Sequence, residues 1–255
     1  MYFFSLITPT YNSAKFLREN IKRAKEQTFQ NFEHIFIDGF SHDGTVEIIK
    51  EYQQEMGESK VKIFQYPPKG ITDAFNKGIK HASGKYLIHY CSDESFFNSD
   101  VLFKVHQFLS ENNYDWIYGK VNVIKGGNSL GIWPQKKIWK LGGTVIGNYI
   151  LNFFNFIPHA SVFYKKEIFE KFGYFDETLT SALDVEYWLR IKDKTKWTFF
   201  DIVVSNYGVE ETAGSVRDRE GYIKNAEKAR KKYLNKFEFA IYKLIKFLAN
   251  FFRKY

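Results

Sequence analysis

Four apolar runs alternate with segments of helical period across the first third of the chain, and this alternation narrows the possible folds more than any other feature. FFSLIT (3–8), EHIFID (33–38), VKIFQY (61–66) and YLIHYC (86–91) each read as a short buried strand. Between them three sets fall on single helical faces: Leu17, Ile21 and Ala24; Val46, Ile49, Tyr52 and Met56; Ile71, Phe75, Ile79 and Ala82. Asn12 or Ser13 is placed to cap the first helix, Pro67-Pro68 ends the third strand, and Gly84 closes the third helix. Strand and helix in strict turn predict parallel strands joined by crossovers, an α/β fold with a mostly parallel sheet flanked by helices. Ligands of such sheets bind beyond the carboxyl ends of the strands. Thr8-Pro9-Thr10-Tyr11-Asn12, Asp38-Gly39 and Ser92-Asp93-Glu94 all lie at such ends, so they converge on one crevice.

The second half is less regular. YDWIYGKVNVI (114–124) reads as a strand or hairpin arm, KGGNSLGIWP as a loop, and KKEIFEKFG and SALDVEYWLRI as helices. One domain over 1–215 followed by a helical, basic, amphipathic tail over 216–255 is the simplest partition. The single cysteine, Cys91, excludes an internal disulfide. The first residues lack the features of a signal peptide, and no apolar run is long enough to span a bilayer. The expected location is the cytoplasm, or the inner face of the cell membrane if the tail meets lipid.

Asp93 and Glu94 place two like charges side by side where a buried strand ends, which is costly without compensation. Mg²⁺ or Mn²⁺, held by one or two carboxylates against a diphosphate, would supply the positive charge; an exposed acidic turn is the alternative. His89, Cys91 and Asp93 would share a strand face and mimic a zinc site, but no second ligand cluster accompanies them, and packing explains His89 and Cys91. Asp38 can accept hydrogen bonds from a base or ribose, or cap the coming turn. Tyr11 can stack on a nucleobase, or be a surface aromatic. Gly70 opens a helix whose first turns carry Asp73, Asn76 and Lys77; these can meet ligand hydroxyls and phosphate, and Asp73 can equally cap the helix. Neither a G-x-x-x-x-G-K-[ST] segment nor a G-x-G-x-x-G after the first strand is present, which excludes a P-loop and counts against a dinucleotide fold. Asp184 stands at the start of a helix, either stabilised by the helix dipole or serving as a general base. His159 is a core histidine or part of an acceptor pocket.

Together these segments resemble inverting family 2 glycosyltransferases of the GT-A (Rossmann-like) fold, of the bacterial type that builds surface polysaccharides. The resemblance runs from SLITPTYN through IDGFSHDGT and GITDAFNKG to SDE, then through Tyr118-Gly119, Pro158-His159, GYFDE and DVEYWLR. It implies a metal-dependent transferase moving a sugar from a nucleotide-diphosphate sugar, UDP being the expected nucleotide, to a hydroxyl of a glycan or lipid-linked acceptor. Carried over position by position, Thr8, Pro9, Thr10, Tyr11, Asn12 and Asp38 hold the nucleobase side. Gly70, Asp73, Asn76, Lys77, Ser92 and Asp93 hold the rest of the donor. Asp93 and Glu94 bind Mn²⁺ or Mg²⁺, Asp184 is the base, and His159 and Trp188 lie on the acceptor side. Two positions depart from the pattern: Glu94 replaces the usual Asp, and Leu183 stands where Glu often precedes the base.

In the tail, Phe237, Ile241, Leu244, Ile245, Leu248, Phe251, Phe252 and Tyr255 recur at helical spacing, with Lys236, Lys243, Lys246, Arg253 and Lys254 beside them. Such a helix over 235–255 either lies on an anionic membrane or packs on the domain. Two competing functions follow from the same residues. A catalytically silent binding module would keep the fold, but retained Asp93 and Asp184 count against it. A nucleic-acid-binding protein would suit the basic tail, but so continuous an apolar face does not suit tracking phosphates, so no nucleic acid is expected.

Overall fold

The computed structural model describes residues 1–135, 140–209 and 219–252, without the side chains of 249–252. The expected domain boundary at 215/216, the side chains of Phe251 and Phe252, and the tail positions Arg253, Lys254 and Tyr255 therefore fall outside the description.

The first half alternates as expected: β1 (Phe4–Thr10), α1 (Ala14–Lys25), β2 (Phe32–Asp38), α2 (Thr45–Met56), β3 (Val61–Gln65), α3 (Ile71–His81) and β4 (Tyr86–His89). These four strands are parallel, with β1 between β2 and β4 and with β3 outside β2. The chain continues through β5 (Glu94–Phe96), α4 (Val101–Glu111), β6 (Trp116–Lys125), β7 (Asn128–Trp133), α5 (Val145–Leu151), β8 (Val162–Lys165) and α6 (Glu167–Phe172). It then forms α7 (Leu183–Ile191), β9 (Trp197–Gly208), α8 (Arg219–Tyr233) and α9 (Lys236–Phe252). The sheet order is β3-β2-β1-β4-β8-β6-β9-β5, with β7 paired to β6.

The sheet is mixed, which corrects the expectation of a mostly parallel one. β4–β8, β6–β8, β6–β7 and β5–β9 are all antiparallel, and β6–β9 is the single further parallel pairing among the described residues. One of the antiparallel pairings follows directly from a tight turn. Lys125 pairs with Asn128 across Gly126-Gly127, both at positive φ, the conformation a two-residue hairpin turn demands. The segment expected to be a loop after that turn is therefore strand β7. Gly84 does not close α3, whose carboxyl cap is the extended Ala82. A Cβ on Gly84 would sit 2.6 Å from the backbone of Phe4 and Ser5, so glycine is needed there for close approach to β1.

Strand side chains alternate between two cores, as the two-residue period dictates. Phe4, Leu6, Tyr86, Ile88, Ile117 and Phe163 pack with α4 on one face. Ile7, Leu87, Trp116, Tyr118, Val162 and Tyr164 pack with α3, α6 and α7 on the other. The carboxyl ends of β1, β2 and β4 are left free of both cores, and the candidate site forms there.

Candidate functional site

A crevice of about 240 Å³ opens at the carboxyl edge of the parallel strands, walled by Pro9, Thr10, Tyr11, Asp38, Gly39, the Tyr66–Gly70 turn and Asp73. Its floor is built by cross-linking two loops. Asp38 is fully buried; Thr10 Oγ1 (2.9 Å), Ser41 N (3.0 Å) and Gln65 Nε2 (3.1 Å) all donate to its carboxylate. Asn12, at φ 52°, accepts from His42 N, and Ser13 N donates to Thr45 Oγ1. The cap of α1 comes from the facing loop, because Ala14 N donates to Asp43 rather than to Asn12 or Ser13. A Cβ at Gly39 would lie 3.0 Å from the Tyr11 ring, so glycine lets that exposed ring lie across the loop. Thr8 sits below the crevice, fully buried, donating to Tyr90 O and meeting His34 Nε2 at 2.8 Å.

Helix α3 divides this crevice from a second cluster of polar groups. Its Asp73 lines the crevice and pairs with Lys77 at 2.6 Å, and Lys77 also lies over the Tyr66 ring. Asn76 faces the other way. Its amide donates to Phe175 O (3.0 Å) and Glu177 (2.9 Å), and its oxygen accepts from Phe175 N (3.0 Å). Thr72 similarly donates to Leu179 O at 2.7 Å, so α3 fastens the segment that leads into α7.

The acidic pair sits in a turn, not at the end of a long strand. β4 stops at His89, so His89, Cys91 and Asp93 do not alternate on one face, and no group of three metal-ligating side chains occurs among the described residues. Ser92 is half-buried and Asp93 exposed, whereas Glu94 starts β5 with its carboxylate folded back onto Cys91 N at 3.1 Å. Burial, and then the neighbouring Asp93, push Glu94 well above the usual carboxylate range. Asn20 of α1 holds the turn by donating to Cys91 O (2.9 Å) and Glu94 O (3.0 Å). It was not among the expected residues; its signal is a polar residue within the stripe Leu17, Ile21, Ala24.

Asp184 opens α7, two residues after Ala182, a non-glycine residue at φ 56°. Its carboxylate accepts from Val185 N at 2.8 Å. Burial raises its pKa, while the nearby His159 and Arg230 pull the other way. His159 meets His89 Nδ1 at 3.1 Å, and burial holds both imidazoles below their usual range, His89 further because His159 adds to it. Trp188 is fully buried, donating to the Tyr164 hydroxyl at 2.8 Å, so it belongs to the core under Asp184. Arg230 of α8 is also buried, donating to Asn152 O (2.9 Å) and Ala226 O (3.1 Å) with its guanidinium over the Tyr242 ring. Arg230 was hidden in the sequence among the lysines of a basic run.

The structure thus gathers Pro9, Thr10, Tyr11, Asp38, Gly70 and Asp73 at one crevice, and Asp184 with His159 at a second cluster across α3. It ties Asn12 and Asn76 into loop fastenings and keeps Thr8 and Trp188 in the interior.

Residues 5–173 match the model of the family described as glycosyl transferase family 2. The chain is 30% identical over 171 residues to a PGL/p-HBAD biosynthesis glycosyltransferase of Mycobacterium tuberculosis, an alignment covering 67% of this chain and 62% of that protein. The chain therefore spans less than two thirds of the length of the mycobacterial relatives it matches. Among solved structures it superimposes on S. aureus TarS 1–349 in complex with UDP, with TM-score 0.70 and 20% identity over 95% of this chain and 70% of that one. It also matches the mannosyltransferase PcManGT of Pyrobaculum calidifontis in complex with GDP-Man and Mn²⁺, with TM-score 0.66 and 16% identity over 91% of this chain and 65% of that one. These likenesses establish a GT-A-like α/β fold with a mixed sheet.

Proposed function

The chain belongs to glycosyl transferase family 2, and on that premise we propose that it transfers a sugar from a UDP-sugar to a hydroxyl of a glycan or lipid-linked acceptor of the cell surface, with inversion. The observation that carries this reading is the crevice at the strand ends, bounded by Tyr11 and the buried Asp38. The acidic turn follows from the neighbouring strand of the same edge. The base lies against Tyr11, and the Asp38 carboxylate orders the loops around it while Asp73 and Lys77 face the sugar and phosphates. The solved structures with UDP and with GDP-Man support a nucleotide there by likeness of fold.

A divalent cation fits the acidic turn. Mg²⁺ and Mn²⁺ take one or two protein carboxylates and complete their shells with phosphate and water. Asp93 is exposed for this, and among the described residues neither Asp93 nor Glu94 has a cationic partner. Asp93 would hold the ion, with Glu94 fixing the turn through Cys91 N; the bound ion would neutralise the leaving diphosphate. Asp184 takes the proton of the acceptor hydroxyl, whose oxygen bonds to the anomeric carbon as that carbon's bond to the phosphate oxygen breaks. The electron pair leaves with the nucleoside diphosphate, and no covalent enzyme intermediate forms. Burial makes Asp184 a stronger base than a solvated carboxylate, and His159 beside it can stabilise its charge.

Calorimetry of UDP and GDP binding, with Mn²⁺ and then with EDTA, tests the reading on wild type and Asp93→Ala. Metal-dependent binding of UDP that is lost in the variant is expected. No binding of either nucleotide to folded protein would overturn the proposal, and binding without turnover of any sugar donor would leave only a silent binding module.

A further inference from the structure

Helix α9 carries apolar side chains on two faces. Phe239, Ile241, Tyr242 and Ile245 turn inward against Ala226 and Ala229 of α8 and Val185 and Leu189 of α7. The opposite face leaves Phe237 74%, Leu244 58%, Phe247 67% and Leu248 42% exposed. Tertiary packing has thus used one side of the helix and left a second apolar stripe in water, which is unfavourable in proportion to its area. A further exposed set, Val145, Ile146 and Tyr149, lies on α5. The carboxyl end of α5 meets the amino end of α9, where Asn152 donates to Glu238 at 3.1 Å.

Charge is concentrated on the same hairpin. Residues 219–255 hold eleven lysines and arginines against three glutamates, which equals the whole formal excess of +8, so the remainder of the chain is balanced. Lys243 and Lys246 are paired with Glu227 of α8, while Lys224, Lys231 and Lys236 are exposed. An apolar stripe flanked by the whole of a protein's net positive charge matches one kind of surface. A second copy would bring two equally basic faces together, and a nucleic acid would leave the aliphatic stripe in water.

We propose that α9 and α5 seat the protein on an anionic lipid surface, with the outer stripe of α9 among the acyl chains and the lysines at the headgroups. No helix among the described residues is long and apolar enough to cross a membrane, so α9 lies in the plane of the interface. The hairpin also packs on the helix that carries Asp184, so lipid contact falls on the side of the second polar cluster, away from the nucleotide crevice. The inference is independent of the transferase reading, because neither nucleotide nor turnover enters its test.

The full chain is sedimented with vesicles of phosphatidylcholine alone, and with vesicles containing about 30 mol% phosphatidylglycerol. Partitioning at least about tenfold stronger onto the anionic vesicles is expected, falling as salt rises from about 0.1 M to about 0.5 M. The exposed double substitution Leu244→Glu/Phe247→Glu should lower it by about tenfold or more with an unchanged melting temperature. Val145→Glu/Ile146→Glu should weaken it as well. Failure to bind vesicles overturns the proposal, as does binding that the α9 substitutions leave unchanged. A dimer in sedimentation velocity that Leu244→Glu/Phe247→Glu dissolves, without vesicle binding, would assign the face to a second copy instead. Capture of duplex DNA in place of vesicles would equally overturn it.

Discussion

Replacing Asn76 by alanine separates two roles for a residue that the sequence places on the donor. The side chain is 2% exposed and makes three hydrogen bonds to a segment about a hundred positions away. Alanine removes the partner of both Phe175 N–H and Phe175 C=O, in a region where Phe175 is itself buried. Each buried backbone group left unpaired costs about 1–3 kcal/mol, whereas the lost bond to the exposed Glu177 adds little. The expected destabilisation is about 2–4 kcal/mol, read from urea unfolding monitored by tryptophan fluorescence. For a chain of this size it corresponds to a fall in Tm of about 5–15 °C. Nucleotide affinity should change by less than about twofold, since the amide points away from the crevice. Turnover should fall more, by about tenfold, because the loosened segment leads through Ala182 to Asp184. A variant as stable as wild type, or one that loses nucleotide affinity at unchanged stability, would refute the reasoning and return Asn76 to the donor.

Three further outcomes follow from other parts of the molecule. Gly84→Ala should destabilise by about 1–3 kcal/mol in the same urea assay, because its Cβ would meet β1 backbone that cannot turn aside. His34 is buried and neutral, its pKa pushed down to about 3, so the unfolded chain binds the proton more readily below pH 6.5. Its contribution is complete above that value and is lost as pH falls from 6.5 toward 3, at about 1.4 kcal/mol per pH unit. Unfolding of His34→Phe should show a shallower loss of stability over that window. If Asp184 is the base, the acidic limb of kcat/KM lies above the usual carboxylate range; Arg230→Gln removes a buried cation that pulls the Asp184 carboxyl down, and shifts that limb further upward. An unmoved limb at reduced rate would show that Arg230 acts on structure alone.

The elements of the parallel half were legible because β1, β2 and β4 are buried on both faces and each crossover helix shows a single apolar stripe, so local period marks them. Asp38 was legible as a polar residue at a strand end for the same reason, whereas Asp93 lies in the turn after β4 stops at His89. The return strands β7 and β9 were harder, since β7 carries two glycines' worth of turn at its start and a half-exposed pattern that reads as loop. Glu94 illustrates a finer limit. Its place beside Asp93 is written in the chain, but whether its carboxylate points out or folds back on Cys91 N depends on β5 pairing with β9, whose partner residues lie more than a hundred positions away.

What the sequence determined by itself is thus the period of each element and the placing of polar residues at strand ends, because both are local. Only the tertiary structure decided which buried polar groups meet. Asn20 reaches the acidic turn, Asn76 the segment before α7, and Arg230 the carbonyl of Asn152, each across a separation at which the chain carries no local signal. The same holds for α9, where helical spacing announces apolar stripes but only packing against α7 and α8 settles which one is covered and which is left facing out. Hydrogen bonding and burial are satisfied between elements, and a residue's partner across that gap is set by the fold, not by its neighbours in the chain.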